Sequence, residues 1–484
     1  MVRRLRGRLA AGPRGPVFRP PSPMVLGHSH PRRKPEKVYL FAASVIFFIN
    51  SSSMLKRLAC AGAALLSCLG AYADDGDQAK DFAPQRQYPE QVVVAKDETP
   101  LILRLLLKPI KQGMLIRLPV VDTDPNRGIT AGAMPVWVIR EPGTDRIEQI
   151  HAPSLTYNKH FGAIPTYRYY YYPASDATLV TRAAVGKYEH EILAQYDDQT
   201  FLDTDVDIFG RVQWNTDSGQ RFFGIGPDTS KDAETNFKED YIQTQFSAGL
   251  PLLRASKWRL RAANRVTASK VSNGPLKGLQ GFEDTYPGVA AGHQQVNELK
   301  VNLVYDSRDH SVTTSRGALL EAYAQYSVRG FASSYDFNRY GLDGRFFYPW
   351  PGREDWCGSA LQFKVEQIFG KAPFVLMPRI GGKYALRAYG DGRYIDRGMA
   401  VANLEQRFTV WKSRLAGVMT EFETAPFVGL GTVFDTPGRA AKRYARPVVG
   451  VATRAVARPQ VVGSVDFGVG QEGLAVFMDI NYSF

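Results

Sequence analysis

Catalysis at neutral pH needs a nucleophile beside a base, a pair of carboxylates, or a set of metal ligands, and the chain groups few such residues. Asp306, Arg308, Asp309 and His310 fall together. They read either as acid–base machinery or, more plainly, as a solvated salt-bridge network at a strand end. The seven histidines are scattered, and His151, His160, His190, His293 and His310 show no spacing that holds one beside a nucleophile. There is no His-Glu-x-x-His and no Cys-x-x-Cys, so no zinc site is expected and no cofactor is assigned. Gly468-Val-Gly-Gln-Glu-Gly473 fits a dinucleotide-loop pattern. That pattern requires a helix after the loop, whereas 474–484 alternates like a strand, so a hairpin turn is expected. Tyr167-Arg-Tyr-Tyr-Tyr-Tyr-Pro173 could stack bases or sugars, but it also suits an aromatic girdle at a membrane interface.

The elements that would carry these residues announce themselves by a period of two. Leu299, Val301, Leu303 and Tyr305 share one face, with Glu298, Lys300 and Asn302 on the other. Leu361, Phe363 and Val365 alternate with Gln362, Lys364 and Glu366, and Trp258, Leu260 and Ala262 with Arg259 and Arg261. Leu474, Val476, Met478, Ile480, Tyr482 and Phe484 form the clearest row, read as one terminal strand. A soluble sandwich alternates too, but its strands run about 5–6 residues. Many segments here run about 10–13, the length of a tilted strand crossing hydrocarbon. At about 22 residues per strand and turn, residues 128–484 make about sixteen strands. Polar inserts at 223–239, 271–294 and 368–398 read as long loops on one end. No apolar run reaches the roughly 18 residues of a membrane helix.

The formal charge of +13 divides unevenly. Residues 1–73 hold twelve Lys and Arg against one acid, Glu36, a surplus of eleven, and the rest of the chain keeps a surplus of two. The body is therefore not a polyanion binder by bulk charge, and no nucleic-acid partner is expected. Residues 54–73 read as a secretory signal: Lys56-Arg57, an apolar core, then Ala71-Tyr72-Ala73. Residues 1–53, rich in Pro and Arg, read as a disordered basic extension or a mis-assigned start, and 74–127 as a short periplasmic segment. Cleavage after Ala73 would leave Cys357 as the single cysteine.

Several segments resemble the bacterial surface antigen family, the barrel superfamily that includes the BamA and TamA assembly factors and the two-partner secretion translocators. They are Gly381-Gly-Lys-Tyr-Ala-Leu-Arg-Ala-Tyr389, Gly390-Asp-Gly-Arg-Tyr394, Ala400-Val-Ala-Asn-Leu-Glu-Gln-Arg-Phe408, Tyr305-Asp-Ser-Arg-Asp309, Phe222-Phe-Gly-Ile-Gly226 and Phe427-Val-Gly-Leu-Gly431. The resemblance implies that Leu386, Arg387, Ala388 and Tyr389 form the tip of a loop folded into the barrel lumen. It implies that Arg387 meets the acid Glu405 and the aromatic face of Phe427. Two departures stand out. Ala388 replaces the motif's glycine, and the family's second acid falls on Gly429, leaving Arg387 a single carboxylate. The resemblance also makes Tyr482 and Phe484 the C-terminal signal read by barrel-assembly machinery. Between Asp74 and Asn126 there is no room for a whole periplasmic POTRA module, so a barrel-only member is expected.

The sequence thus reads as an all-β transmembrane antiparallel barrel in the bacterial outer membrane. Its expected partners are outer-membrane lipids, the barrel-assembly machinery during biogenesis, and protein clients. Its expected role is protein or lipid insertion or translocation and not enzymatic. A passive, porin-like solute channel and a barrel hydrolase are the alternatives.

Overall fold

The computed structural model describes residues 106–484 apart from 145, 254–255, 290–291, 416–417, 441, 458–460 and 480–481. The expected basic extension 1–53, the expected signal 54–73 and the part of the expected periplasmic segment up to residue 105 lie outside the described residues.

Alternation along long strands gives one sheet of 21 strands, almost wholly antiparallel, in which sequence neighbours pair. The longest strands are Gly398–Leu415, with 18 residues, and Thr235–Pro251 and Val418–Phe434, with 17 each. The sheet opens before residue 128: Gly113–Asp124 pairs with Gly128–Arg140 across a tight turn, and Leu107–Ile110 folds back on Gly113–Asp124. The strands exceed the expected sixteen because some share a track or are very short. Ile147–His151 and Ser154–Asn158 both lie between Gly128–Arg140 and Gly162–Ala174, and Gln280–Gly281 is a two-residue strand. Loops at one end are long (223–234, 274–291, 372–397 and 435–445). The first three are shorter than the sequence inserts, because strands continue into polar sequence once both faces stand in water.

The two faces invert the pattern of a soluble protein. Leu299 and Val301 are 46% and 49% exposed on the outer face, while Glu298 between the walls is fully buried. Exposed apolar residues in row after row, with buried polar ones at the alternate positions, suit hydrocarbon outside and a polar lumen inside.

The ring closes where Gly113–Asp124 meets Gly473–Asp479. Among the described residues no backbone ladder joins this pair. The Val121 amide donates to Met478 Sδ at 3.2 Å, and the Val476 amide donates to Thr123 Oγ1 at 3.0 Å. The expected terminal strand is also shorter than read. Among the described residues its ladder runs to Asp479, and Tyr482, Ser483 and Phe484 lie outside it, buried against inner-face residues. Gly468–Gly473 forms the expected hairpin, with Gly470 opposite Gly473.

Outward and inward positions should respond differently to charge. Val301→Arg is expected to cost about 2–4 kcal/mol near the bilayer midplane, and Lys300→Gln on the other face less than about 1 kcal/mol. Urea titration of refolding into lipid vesicles measures both, and equal small losses would indicate a water-facing outer surface.

Candidate lumen latch

The loop 372–397 follows the strand Cys357–Lys371 and turns into the barrel. Arg379–Ile380 pairs with Tyr394–Ile395, pinching the loop at its base. Gly381 and Gly382 then adopt φ of +124° and +72°, reversing the chain where a side chain would be strained. A Cβ on Gly381 would sit 1.9 Å from the Gly390 carbonyl oxygen, so the loop's two limbs touch there. Ala388 is not among the residues with positive φ, so alanine in place of the motif's glycine imposes no strain.

The tip packs on the strands Gly398–Leu415 to Val461–Gly470. Leu386, fully buried, lies over Gly431, where a Cβ would approach its side chain to 2.7 Å. A Cβ on Gly468 would lie 1.7 Å from the Arg387 carbonyl oxygen, and one on Gly470 would meet the Tyr389 ring. The glycines of the Gly-x-Gly pattern thus serve close approach of the loop backbone to the wall, not phosphate binding.

Arg387 is 2% exposed. Its Nη1 donates to Glu405 Oε2 at 2.9 Å, Asp466 Oδ2 at 3.0 Å and Ser483 Oγ at 3.2 Å. Its guanidinium lies 3.5 Å from the centroid of the Phe427 ring. Cross-strand register puts Phe427 directly opposite Glu405, so the acid and the ring share the inner face. Arg387 has a second carboxylate, Asp466, which sequence reasoning missed by seeking that acid at Gly429. Asp466 and Ser464 alternate inward with Gly468 on the next wall, and that parity was the available signal.

Glu405 accepts from three arginines. Arg407 Nε donates at 2.8 Å, and Arg454 forks onto both oxygens at 2.7 and 2.8 Å beside Arg387. The chain's end joins this cluster. Ser483 Oγ donates to Asp466 at 2.7 Å, and Tyr482 OH donates to Glu423 at 3.0 Å. Arg407 lies 4.1 Å from the Tyr482 ring centroid and donates to the Phe484 carbonyl at 3.4 Å. The Phe484 ring packs with Phe347 and Ala360.

A second arginine fastens the loop higher up. Arg393 Nε donates to Glu472 at 2.7 Å, its other nitrogens donate to Thr229 Oγ1 and carbonyl at 3.1 Å, and it stacks on Phe223 at 4.2 Å. The loop also reaches the turn after the first seam strand, the strand Val461–Gly470 and the last strand. Asn126 Nδ2 donates to the Asp391 carbonyl at 2.7 Å, Lys383 Nζ to Ser464 at 2.7 Å, and Tyr384 OH to Asp479. Burial pushes the Lys383 ammonium pKa down, and Asp479 and Asp466 oppose this.

The groupings with catalytic potential serve other ends. Arg308 chelates Asp306 at 2.8 and 3.0 Å, while Asp309 Oδ1 accepts the His310, Ser315 and Arg316 amides. This staples a turn. His151 bonds Tyr167 at 2.6 Å beside the tyrosine run, and the His190 ring stacks on Trp214. Among the described residues no group of His, Cys, Asp and Glu could hold a metal ion.

The sheet thus carries a loop drawn against its inner face by a buried arginine–carboxylate cluster. Residues 177–465 match the Omp85 superfamily domain, and the chain belongs to that superfamily. In fold it is similar to BamA from Haemophilus ducreyi lacking POTRA domains 1–3, at 12% identity with a TM-score of 0.48, over 75% of each chain. It is similar to CdiB from Escherichia coli at 9% identity and a TM-score of 0.48, over 75% of this chain and 67% of that one. For CdiB from Acinetobacter baumannii the values are 11% and 0.39, over 78% and 60%. No curated protein matches the chain in sequence.

The cluster's asymmetry fixes an order of stability. Arg387→Ala leaves Glu405 bonded to Arg407 and Arg454. Glu405→Ala leaves three buried guanidinium groups without the one carboxylate they all share, an uncompensated state costing about 3–5 kcal/mol or more. Urea unfolding in detergent micelles should therefore rank Glu405→Ala as the more destabilising. The reverse order would show that Glu405 does not centre the cluster.

Proposed function

We propose that this Omp85-superfamily barrel stands in the bacterial outer membrane and inserts or translocates protein or lipid there, through a seam between its first and last long strands. The carrying observation is that seam. Every other neighbouring pair of long strands is joined by a ladder, whereas Gly113–Asp124 and Gly473–Asp479 meet through Thr123 and Met478 side chains. Such a junction parts with less loss of hydrogen bonding than any ladder, and a parted junction gives lateral access from lumen to lipid.

Arg387, Glu405 and Phe427 act as the latch, with Leu386, Ala388 and Tyr389 seating the loop that bears it. Tyr482 and Phe484 act twice. Before folding is complete they are available to barrel-assembly machinery as a terminal signal, and afterwards they stand inside with the latch. The role is not enzymatic, and protein clients and membrane lipids are the partners. A porin-like solute channel would require the whole lumen to be clear, and on the side of the strands Gly398–Leu415 to Val461–Gly470 the loop and tail occupy it.

The test is a disulfide across the seam, Thr123→Cys with Val476→Cys in a Cys357→Ser background. The unlinked protein in lipid vesicles should accelerate folding of a model outer-membrane barrel. Oxidation should abolish the acceleration, and reduction restore it. A cross-linked protein as active as the reduced one, or an unlinked protein with no effect, would sink the proposal.

A further inference from the structure

The loop and tail press on one side of the lumen, and against a second wall the loop packs at one end, where Phe374 meets Phe222 and Phe237. That wall runs from Gly162–Ala174 through Ala177–Val185, His190–Asp198 and Asp207–Phe222 to Thr235–Pro251. Its outer face is marked by exposed Ile192, Val212, Trp214, Ile242 and Phe246. The alternate positions, facing the lumen, include Arg168, Arg182, Gln195, Arg211 and Gln245, all half-buried.

Register brings these cations together. Arg168 lies directly opposite Arg182, and Arg211 sits between Gln195 and Gln245 on its two neighbouring strands. Arg182 is neutralised by Glu191, which also accepts from Gln213 at 3.1 Å. Arg168 and Arg211 lie in the field of Glu191 without pairing directly to it. Arg168 donates to Ser154 Oγ at 3.0 Å, and Arg211 donates twice to Gln195 Oε1, at 3.0 and 2.6 Å. Among the described residues neither has a carboxylate partner.

The opposite wall is built otherwise. Lys300 pairs with Glu321 at 2.8 Å, Arg345 with Asp343 at 3.0 Å, and Lys364 and Arg339 with Glu366 at 3.3 and 3.5 Å. Acids of the arginine wall stand towards its ends and are answered there. Asp207 is clamped by Arg259 and Arg261, and Asp217 by Arg127 at 2.9 Å. The middle of the wall therefore carries, beside the Arg182–Glu191 pair, two positive charges without an ion-pair partner among the described residues, and charges so placed between low-dielectric walls concentrate field lines and counter-ions.

We propose that this wall is an anion path: a stripe formed by Arg168, Arg182 and Arg211, with Gln195 and Gln245 as neutral hydrogen-bonding rungs. It binds and conducts small anions such as chloride and inorganic phosphate alongside the latched loop. It requires the barrel to stand in a membrane but not the seam to open, so the Thr123–Val476 cross-link leaves it unchanged and its failure is distinct from that of the insertion reading.

Planar-bilayer recording in a tenfold KCl gradient tests it. Wild type should prefer chloride over potassium. Arg168→Gln with Arg211→Gln should lower the permeability ratio by about threefold or more, with each single variant in between. Arg168→Lys with Arg211→Lys keeps the charge and should keep the preference, so the test holds even where the glutamine pair fails to fold. Inorganic phosphate should block wild-type chloride current, and block the glutamine variant less. Potassium preference in wild type, an unchanged ratio in the folded glutamine variant, loss of preference in the lysine variant, or no current through inserted protein would each overturn the assignment.

Discussion

Hydrocarbon supplies no hydrogen-bonding partner to a strand edge, and an amide left open there costs several kcal/mol. A sheet in a membrane must therefore close on itself, and this one closes with a junction unlike its others. The ladders elsewhere are long: Val418–Phe434 keeps register with Gly398–Leu415 from Phe434 to Val418, with one irregularity near Trp411. At the seam two side-chain atoms, Thr123 Oγ1 and Met478 Sδ, take the place of carbonyl acceptors. The loop and the buried cluster are best understood as answers to that weakness. Asn126, Asp391, Lys383 and Tyr384 tie the loop to the first turn and the last strand, holding the seam from inside.

The cluster behind the loop obeys a different constraint. Three arginines and the acids Glu405, Asp466 and Glu423, buried together, carry a large desolvation cost, repaid only if geometry and extra hydrogen bonds are good. The repayment is visible here: Glu405 is held on both oxygens, and Phe427 offers its ring face to the one arginine that comes from the loop. Such a cluster holds poorly in intermediate states, because removing one partner strands the others. A loop fastened this way is either seated or free, as a latch requires.

Much of this was legible in the sequence, for a physical reason. A period of two separates lipid-facing from lumen-facing positions whatever the loops do, so the barrel, the inward aim of Glu405 and its pairing with Arg387 could be read from parity together with family resemblance. Parity does not say which inward groups meet across a lumen. Asp466 and Arg454 lie on strands far from Glu405 in sequence, and nothing local marks them as its partners. Parity also failed at the end of the chain. Tyr482 and Phe484 continue the apolar row, and an aromatic ring destined for lipid looks the same in sequence as one that will lie on an arginine. Arg393 was visible in Gly390-Asp-Gly-Arg-Tyr394 but had no stated role, since its partners, Glu472 and Thr229, belong to other loops.

Seam and latch cannot be independent. The last strand carries Asp479, which binds the loop through Tyr384, and beyond it come Tyr482 and Ser483, which bind Glu423 and Asp466. Moving that strand away from Gly113–Asp124 pulls on the same segment that completes the arginine cluster. The few net kcal/mol in two side-chain-accepted bonds would alone leave a leaky junction. Adding buried charge that must be broken in the same motion raises the threshold for opening without adding a single bond to the seam. In the proposed opening, the edge without a ladder is thereby coupled to the buried arginine–carboxylate cluster.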